Sequence, residues 1–178
     1  DLTIEEAIEL AEGYSSGLSP LPDDAVLENA SFGSLLKRTV VAEDGSLIDK
    51  SFYGYRVVFL RYFEDVPTSD AILLWIDTFG NLNLYDKTWT LSLPESSDPS
   101  IGEKKSISIA ESVINGTSQS SELRIVRPNY YWDSNKTMYG DSNGRLSWVI
   151  VLDIGDSRQA SVWVDAHSGD VVGGWTAL

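Results

Sequence analysis

The sequence predicts an α+β fold built from two tandem units, each with a helix packed on an antiparallel sheet. Helix-start signals are followed along the chain by short runs rich in β-branched and aromatic residues, and this order occurs in both halves. The chain has 178 residues, of which 42% are hydrophobic and 11% aromatic. That is enough apolar material to fill one large or two small cores.

Each predicted unit opens on a helix. Thr3 and Ser108 are each followed three residues later by a glutamate, Glu6 and Glu111. This is the spacing of a capping box, in which the two side chains accept hydrogen bonds from backbone N–H groups at the helix N-terminus. We therefore predict that matching helices start at these two positions.

The last strands of the second unit have clear boundaries in the sequence. Apolar runs cover residues 146–152, 160–165 and 170–175, and polar turns at 153–157 and 166–169 separate them. Runs of this kind between clusters of Gly, Asp and Ser are typical of antiparallel hairpins.

The first unit repeats this hairpin pattern in residues 71–82, with the order Trp, apolar residue, Asp, turn with Gly, apolar residue. The two helix starts lie further apart than the two hairpins, so we expect extra loop between the first helix and its last strands. Pro, Ser, Gly and acidic residues replace the apolar pattern at 94–103. We therefore predict units at 1–93 and 104–178, joined by a linker at 94–103.

The sequence WVDAHSGDVV at 163–172 resembles the closing hairpin of PepSY domains, the peptidase propeptide and YPEB-like family. The resemblance covers 145–175 and extends to the first unit through the internal repeat, although Ser168-Gly169-Asp170 replaces the usual Thr-Gly-Glu. It implies a curled antiparallel sheet of the PepSY or cystatin-like type in each unit. It also implies a non-catalytic regulatory protein, extracellular or membrane-anchored, that acts on a peptidase or at the cell envelope.

Composition narrows the classes of partner. The net charge of −14 argues against nucleic acid or an anionic membrane, because both repel an acidic surface. Basic peptides and cations stay open as partners. The chain has no Cys, which excludes disulfides and thiolate metal sites. It opens on Asp1 without Met, so we expect an ectodomain whose targeting segment or membrane anchor lies outside this sequence.

Three features bear on catalysis. Residues 13–17 match the G-x-S-x-G pattern around Ser15, but a predicted helix precedes the serine, whereas a nucleophile elbow needs a strand there. The pattern therefore indicates a helix C-terminus with glycine caps. His167 is the only histidine, and its place in a turn predicts a solvent-exposed side chain. Asp77 and Asp165 end equivalent strands, where we expect each carboxylate to bind the backbone of its own turn.

No metal or cofactor is predicted. One His without Cys disfavours zinc. The loop 133–144 is rich in oxygen ligands, but it has Met138 and Gly144 where an EF-hand needs Gly and Glu. Residues 141–144 favour a tight turn before the strand 146–152 over a calcium site.

Strand alternation predicts an aromatic face. Ile72, Leu74 and Ile76 share one side of their strand, and Val162 and Val164 share one side of theirs. We expect the helices to cover these aliphatic faces, which leaves an open side that is buried between the units or kept for a partner. The candidate binding residues on that side are Trp75, Trp163, Trp148, Tyr130, Tyr131 and Trp132.

The resulting functional hypothesis is a non-enzymatic module that binds a protein, such as a peptidase or an envelope protein. Two alternatives stay open. One is an ectodomain that senses a small molecule through the aromatic face, and the other is an enzyme built on a cystatin-like sheet, which would need close, buried carboxylates.

Overall fold

A computed structural model describes residues 2–89, 91–130 and 143–176, without the side chain of Tyr130. The elements in chain order are α1 (Ile4–Leu18), β1 (Ala25–Val41), β2 (Leu47–Phe63), β3 (Val66–Asp77), β4 (Leu82–Thr88), α2 (Glu103–Val113), β5 (Thr117–Val126), β6 (Asn129–Tyr130), β7 (Arg145–Asp153), β8 (Gln159–Asp165) and β9 (Val171–Thr176).

The predicted fold of two units, each a helix on its own curled antiparallel sheet, is wrong. The described strands form one mixed sheet of order β1-β2-β3-β5-β7-β8-β9-β6, with β4 beside β3. Strand residues make up 55% of the described part and helical residues 16%. β3 pairs with β5 in parallel at Thr68 and Ile125, and β6 pairs with β9 in parallel.

The error has an identifiable origin in the first half of the chain. The region that we expected to be extra loop contains β1 and β2, each 17 residues long, which pair from Ala25 opposite Arg61 to Val41 opposite Leu47. β2 and β3 then continue to the hairpin end at 62–69, where β3 meets β5. The sequence analysis looked for short apolar runs. It therefore missed two strands that pair over 15 positions and extend far beyond a local hairpin.

The chain divides into two compact units. The first comprises Asp1–Arg61 and Asp70–Trp89, and the second comprises Tyr62–Ser69 and Thr90–Leu178. This division follows contacts between residues and not sequence similarity between the two halves. The tandem repeat and its boundaries at 93 and 104 therefore stay a prediction.

The core of the first unit confirms the predicted capping box and the predicted facing. Thr3 Oγ1 accepts from Glu6 N at 3.2 Å, and Glu6 Oε2 accepts from Thr3 N at 2.7 Å. Helix α1 buries two alanines completely in one cluster with the aliphatic face of β3, which consists of Ile72, Leu74 and Ile76. Each of these three large side chains contributes about 1.5–3 kcal/mol by leaving water.

The core of the second unit confirms the facing of its strand as well. Val162 and Val164 are fully buried in a cluster with Ala110 of α2 and with Ile150 of β7, whereas Trp163 is half-buried. An unpaired charge introduced at Val164 would therefore cost several kcal/mol.

The predicted helix start at Ser108 is wrong. Helix α2 begins at Glu103 after the N-cap Gly102, so Ser108 lies inside the helix and its hydroxyl donates to Lys104 O at 3.2 Å. Glu111 Oε1 instead accepts from the backbone N–H of residue 118 at 3.1 Å. Ser-x-x-Glu spacing is compatible with a helix interior, because a serine hydroxyl can also donate to the carbonyl four residues earlier.

We predict that Gly54→Ala destabilises the first unit, because an added Cβ would collide with the carbonyl oxygen of Ile76 and would lie 2.7 Å from Leu35 Cδ1. Overpacking against backbone costs about 1–3 kcal/mol, which thermal unfolding would measure. Gly33→Ala is the matched control, since Gly33 lies directly opposite Gly54 and a Cβ there meets nothing within 4 Å. Equal melting temperatures for the two variants would contradict the close approach.

Candidate binding cleft in the first unit

The first unit contains a cleft of about 820 Å³. Trp75 and Asp77 line it, and both alternate along β3 with the buried residues Leu74 and Ile76, so the cleft lies on the side of β3 away from α1. The lining residues are Leu35, Leu36, Arg38, Ser51, Phe52, Tyr53, Trp75, Asp77, Thr78, Phe79, Asn83 and Leu84.

A β-bulge shapes one wall of the cleft. The pairing of β1 with β2 shifts between Ser34 and Leu36, which leaves Leu35 as an extra residue on β1. The side chain of Leu35 then lies over Gly54, where it occupies space that any other residue would need. Bulges commonly re-aim a side chain in this way beside functional sites.

Trp75 forms the floor of the cleft opposite Leu84 of β4. Its indole is half-buried, and its Nε1 is buried with no hydrogen-bond partner among the described residues. A buried N–H donor without an acceptor costs about 1–3 kcal/mol.

The turn between β3 and β4 holds an aromatic side chain in water. Phe79 is 88% exposed. Its backbone N–H donates to Asp77 Oδ1 at 2.8 Å, and the N–H of Asn81 donates to the same oxygen at 2.9 Å. The hydroxyl of Tyr14 donates to Gly80 O at 2.7 Å, which ties the turn to α1. The exposed ring is therefore carried by a well-fixed backbone.

The carboxylate of Asp77 serves this turn. Partial burial acts to raise the pKa of Asp77, but hydrogen bonds from Asn81 and from the backbone N–H groups of Phe79 and Gly80 together outweigh it and lower the pKa below its usual value. A low pKa with several fixed donors suits a structural acceptor and not a general acid.

Two cations lie on the cleft side of the β1–β2 hairpin. Arg38, which lines the cleft, is directly opposite Lys50 in the antiparallel register. Lys50 Nζ lies 5.4 Å from the ring centroid of Phe52, another lining residue. Like charges directly opposite each other destabilise a pair of strands, so an anion here would be favoured.

The tryptophans predicted in the second unit have different surroundings. Trp163 is half-buried opposite Val149, and its Nε1 donates to Ser161 Oγ at 3.1 Å. Trp148 pairs with Val164, so it lies on the core side and not with Trp163. Its Nε1 donates to the carbonyl of residue 101 at 2.8 Å, which fixes the chain just before α2.

The aromatic cluster after β5 lies largely beyond the described residues. The backbone of Tyr130 belongs to β6, but its side chain, Tyr131 and Trp132 lie outside them. Trp75 and Trp163 belong to different units. The binding roles of all six predicted aromatic residues stay predictions.

The G-x-S-x-G pattern has no elbow geometry. Ser15 is fully buried inside α1, so its hydroxyl is not presented on a turn, and the two glycines of the pattern are helical and not caps. His167 is exposed, as predicted. Asp165 Oδ1 accepts from the backbone N–H groups of His167 and Ser168 at 2.8 and 2.9 Å, which confirms the predicted turn role that it shares with Asp77.

Several cleft residues were missed at the sequence level. Phe79 had a usable signal, because an aromatic residue inside the five-residue turn from Asp77 to Asn81 has no core to enter. No sequence signal marked Leu35, Phe52 and Arg38. These residues come together only through the register of two long strands and one bulge.

Neither a metal cluster nor a membrane helix is found in the described part of the chain. Within it, no group of three or more His, Cys, Asp or Glu side chains could hold a metal ion. No helix there has the length and apolar character needed to cross a bilayer. Of the loop 133–144, residues 133–142 lie outside the described residues, and so does the first half of the predicted turn at 141–144.

Comparisons with known proteins give distant likenesses. No family model matches the chain, and no curated protein matches it. Among solved structures, the C-terminal domain of YpeB from Bacillus megaterium is 10% identical with a TM-score of 0.47, over 100% of this chain and 66% of that one. A candidate lipoprotein from Clostridium difficile 630 is 13% identical with a TM-score of 0.32, over 99% of this chain and 93% of that one. Likenesses of this degree establish neither a family nor a function.

We predict that Asp77→Ala lowers the melting temperature at pH 7 and that this difference shrinks as the pH falls. The lowered pKa of Asp77 means that its stabilisation is present above the unfolded value of about 3.9 and is lost as the pH drops through the folded value. Melting curves between about pH 7 and pH 2.5 would measure it. Asp23→Ala, at an exposed turn position, is the control, and a pH-independent difference for Asp77→Ala would contradict the assignment.

We also predict that EDTA leaves the melting temperature unchanged, because no tight metal site is assigned. A drop on chelation that calcium restores would revive the loop 133–144 as a binding site.

Proposed function

We propose that this chain is a non-catalytic protein-binding module and that the cleft of the first unit, with Phe79 at its rim, is its binding surface. The observation that carries the proposal is an aromatic ring left 88% in water on a turn that hydrogen bonds to Asp77 and from Tyr14 hold in place. Because the backbone of the turn is already fixed, binding here would cost only the side-chain entropy of Phe79 while its ring contributes a large area, as in binding hot spots.

The neighbouring hairpin supports the same surface. Phe52 and Tyr53 line the cleft and are 40% and 55% exposed. Together with Phe79 they place three large apolar side chains in water around one concave site. Contiguous apolar surface of this kind marks interaction sites on folded domains.

A non-catalytic role is supported by the state of the candidate chemical groups. Ser15 is buried in a helix, and the carboxylates of Asp77 and Asp165 accept hydrogen bonds from their own turns. We propose an extracytoplasmic partner, a peptidase or another envelope protein. This part of the proposal rests on the resemblance of the hairpin 163–172 to PepSY domains.

A small-molecule sensor is the second candidate, and the size of the cleft favours it. A volume of about 820 Å³ falls within the usual range for ligand sites. Its rim, however, carries strongly exposed aromatic residues, whereas a small ligand is usually enclosed by its site. A protein segment would cover these side chains more completely.

Photo-crosslinking tests the proposed surface. We expect a benzoyl-phenylalanine at position 79 to capture a protein from the envelope fraction of the native host, and the same probe at Glu9, exposed on α1, to capture none. The captured protein, once identified and purified, should bind Phe79→Ala at least roughly tenfold more weakly than the wild type. Equal binding by a folded Phe79→Ala variant would remove the cleft rim from the interface.

Turnover is the separate test of the non-catalytic part. Steady hydrolysis of any substrate by the purified chain, lost on Ser15→Ala or His167→Ala, would overturn it.

A further inference from the structure

We infer that the cleft recognises the free C-terminus of an apolar polypeptide segment, with the terminal carboxylate near Arg38. This inference deepens the proposed function and rests on it. Three observations in the first unit point to a ligand that is apolar and carries an anionic acceptor.

The first observation is the charge on the cleft side of the hairpin. The chain has 27 acidic and 13 basic residues, yet Arg38 and Lys50 are paired directly across two strands on this side. Arg38 lines the cleft and makes no ion pair within the described part of the chain. A carboxylate would offset the repulsion between the two cations and could accept two hydrogen bonds from the guanidinium group.

The second observation is the supply of donors in the cleft. Trp75 Nε1 is a buried donor without a partner among the described residues. Asp77 also lines the cleft and its Oδ1 accepts hydrogen bonds from the backbone of its turn, so the ligand carboxylate is placed beside Arg38 and away from this ionised side chain. Arg38 offers its guanidinium donors to the cleft, which selects a ligand with an acceptor such as a carboxylate.

The third observation is the shape and lining of the cleft. Leu35, Phe52 and Leu84 give it apolar walls, and Phe79 at the rim is almost fully in water. An apolar carboxylate could be a free fatty acid or a polypeptide terminus. The open, aromatic rim favours the polypeptide, because the residues before the terminus can cover side chains that a short free acid would leave wet.

Fluorescence polarisation with labelled peptides tests the inference. The probes are hexapeptides ending in Leu-Phe-Leu, one with a free C-terminus and one amidated, and dodecanoate serves as a competitor. We expect the acid peptide to bind wild type at least roughly tenfold more tightly than the amide, a ratio that corresponds to one charge-assisted contact. Arg38→Gln should abolish this ratio. Lys37→Gln removes the same charge from the neighbouring residue, which does not line the cleft, and should preserve it.

The outcomes separate the inference from the proposed function. Equal binding of acid and amide peptides, no binding of either, or an unchanged ratio in Arg38→Gln would overturn carboxylate recognition. Dodecanoate could also displace the labelled peptide at a lower concentration than the unlabelled peptide does. That result would assign the site to a free fatty acid and would overturn recognition of a polypeptide C-terminus. Capture of a partner through position 79 would still stand in each case. Trp75→Phe should weaken both peptides while the acid-to-amide ratio persists, because it reduces an apolar lining side chain and leaves the cation in place.

Discussion

The burial of one face of β3 under α1 determines where the candidate site can form. Ile72, Leu74 and Ile76 are fully buried, and a strand has only two faces. Trp75 and Asp77 must therefore project to the other side, together with Leu84 from β4. A shift of one residue in this strand would move the aliphatic side chains into water and bury the indole and the carboxylate, so the core fixes the floor of the cleft.

The wall of the cleft depends on a second constraint, the close approach of β3 to β2 at Gly54. The space that a Cβ would take is already filled by the backbone around Ile76 and by Leu35. The bulge places the side chain of Leu35 next to residue 54, and only a glycine there leaves room for it. The bulge at Leu35 and the close approach at Gly54 thus together shape this wall of the cleft.

Sequence patterns predicted the parts of this fold that are local. The hairpins of β7, β8 and β9, the Thr3 capping box, the buried faces of β3 and β8 and the Asp turns all follow from periods of a few residues. The long pairing of β1 with β2 and the parallel contacts could not be read in this way, because they join residues far apart in sequence. The predicted helix start at Ser108 was wrong for the opposite reason. Its local signal, a serine followed three residues later by a glutamate, fits the interior of a helix as well as its start.

The two sides of the cleft differ in how firmly they are held. The turn that carries Phe79 is bound to Asp77 and, through Tyr14, to α1. The end of the β1–β2 hairpin has mostly exposed side chains, with Val41 69% and Leu47 71% in water, and a two-stranded ribbon with few buried contacts has low local stability. A ligand bound at this site would therefore lie between the hydrogen-bonded turn, which supplies apolar area, and the more exposed hairpin, which supplies positive charge. If the proposed ligand binds here, the apolar contact with Phe79 would contribute most of the affinity and the contact with Arg38 would contribute the selectivity for a carboxylate.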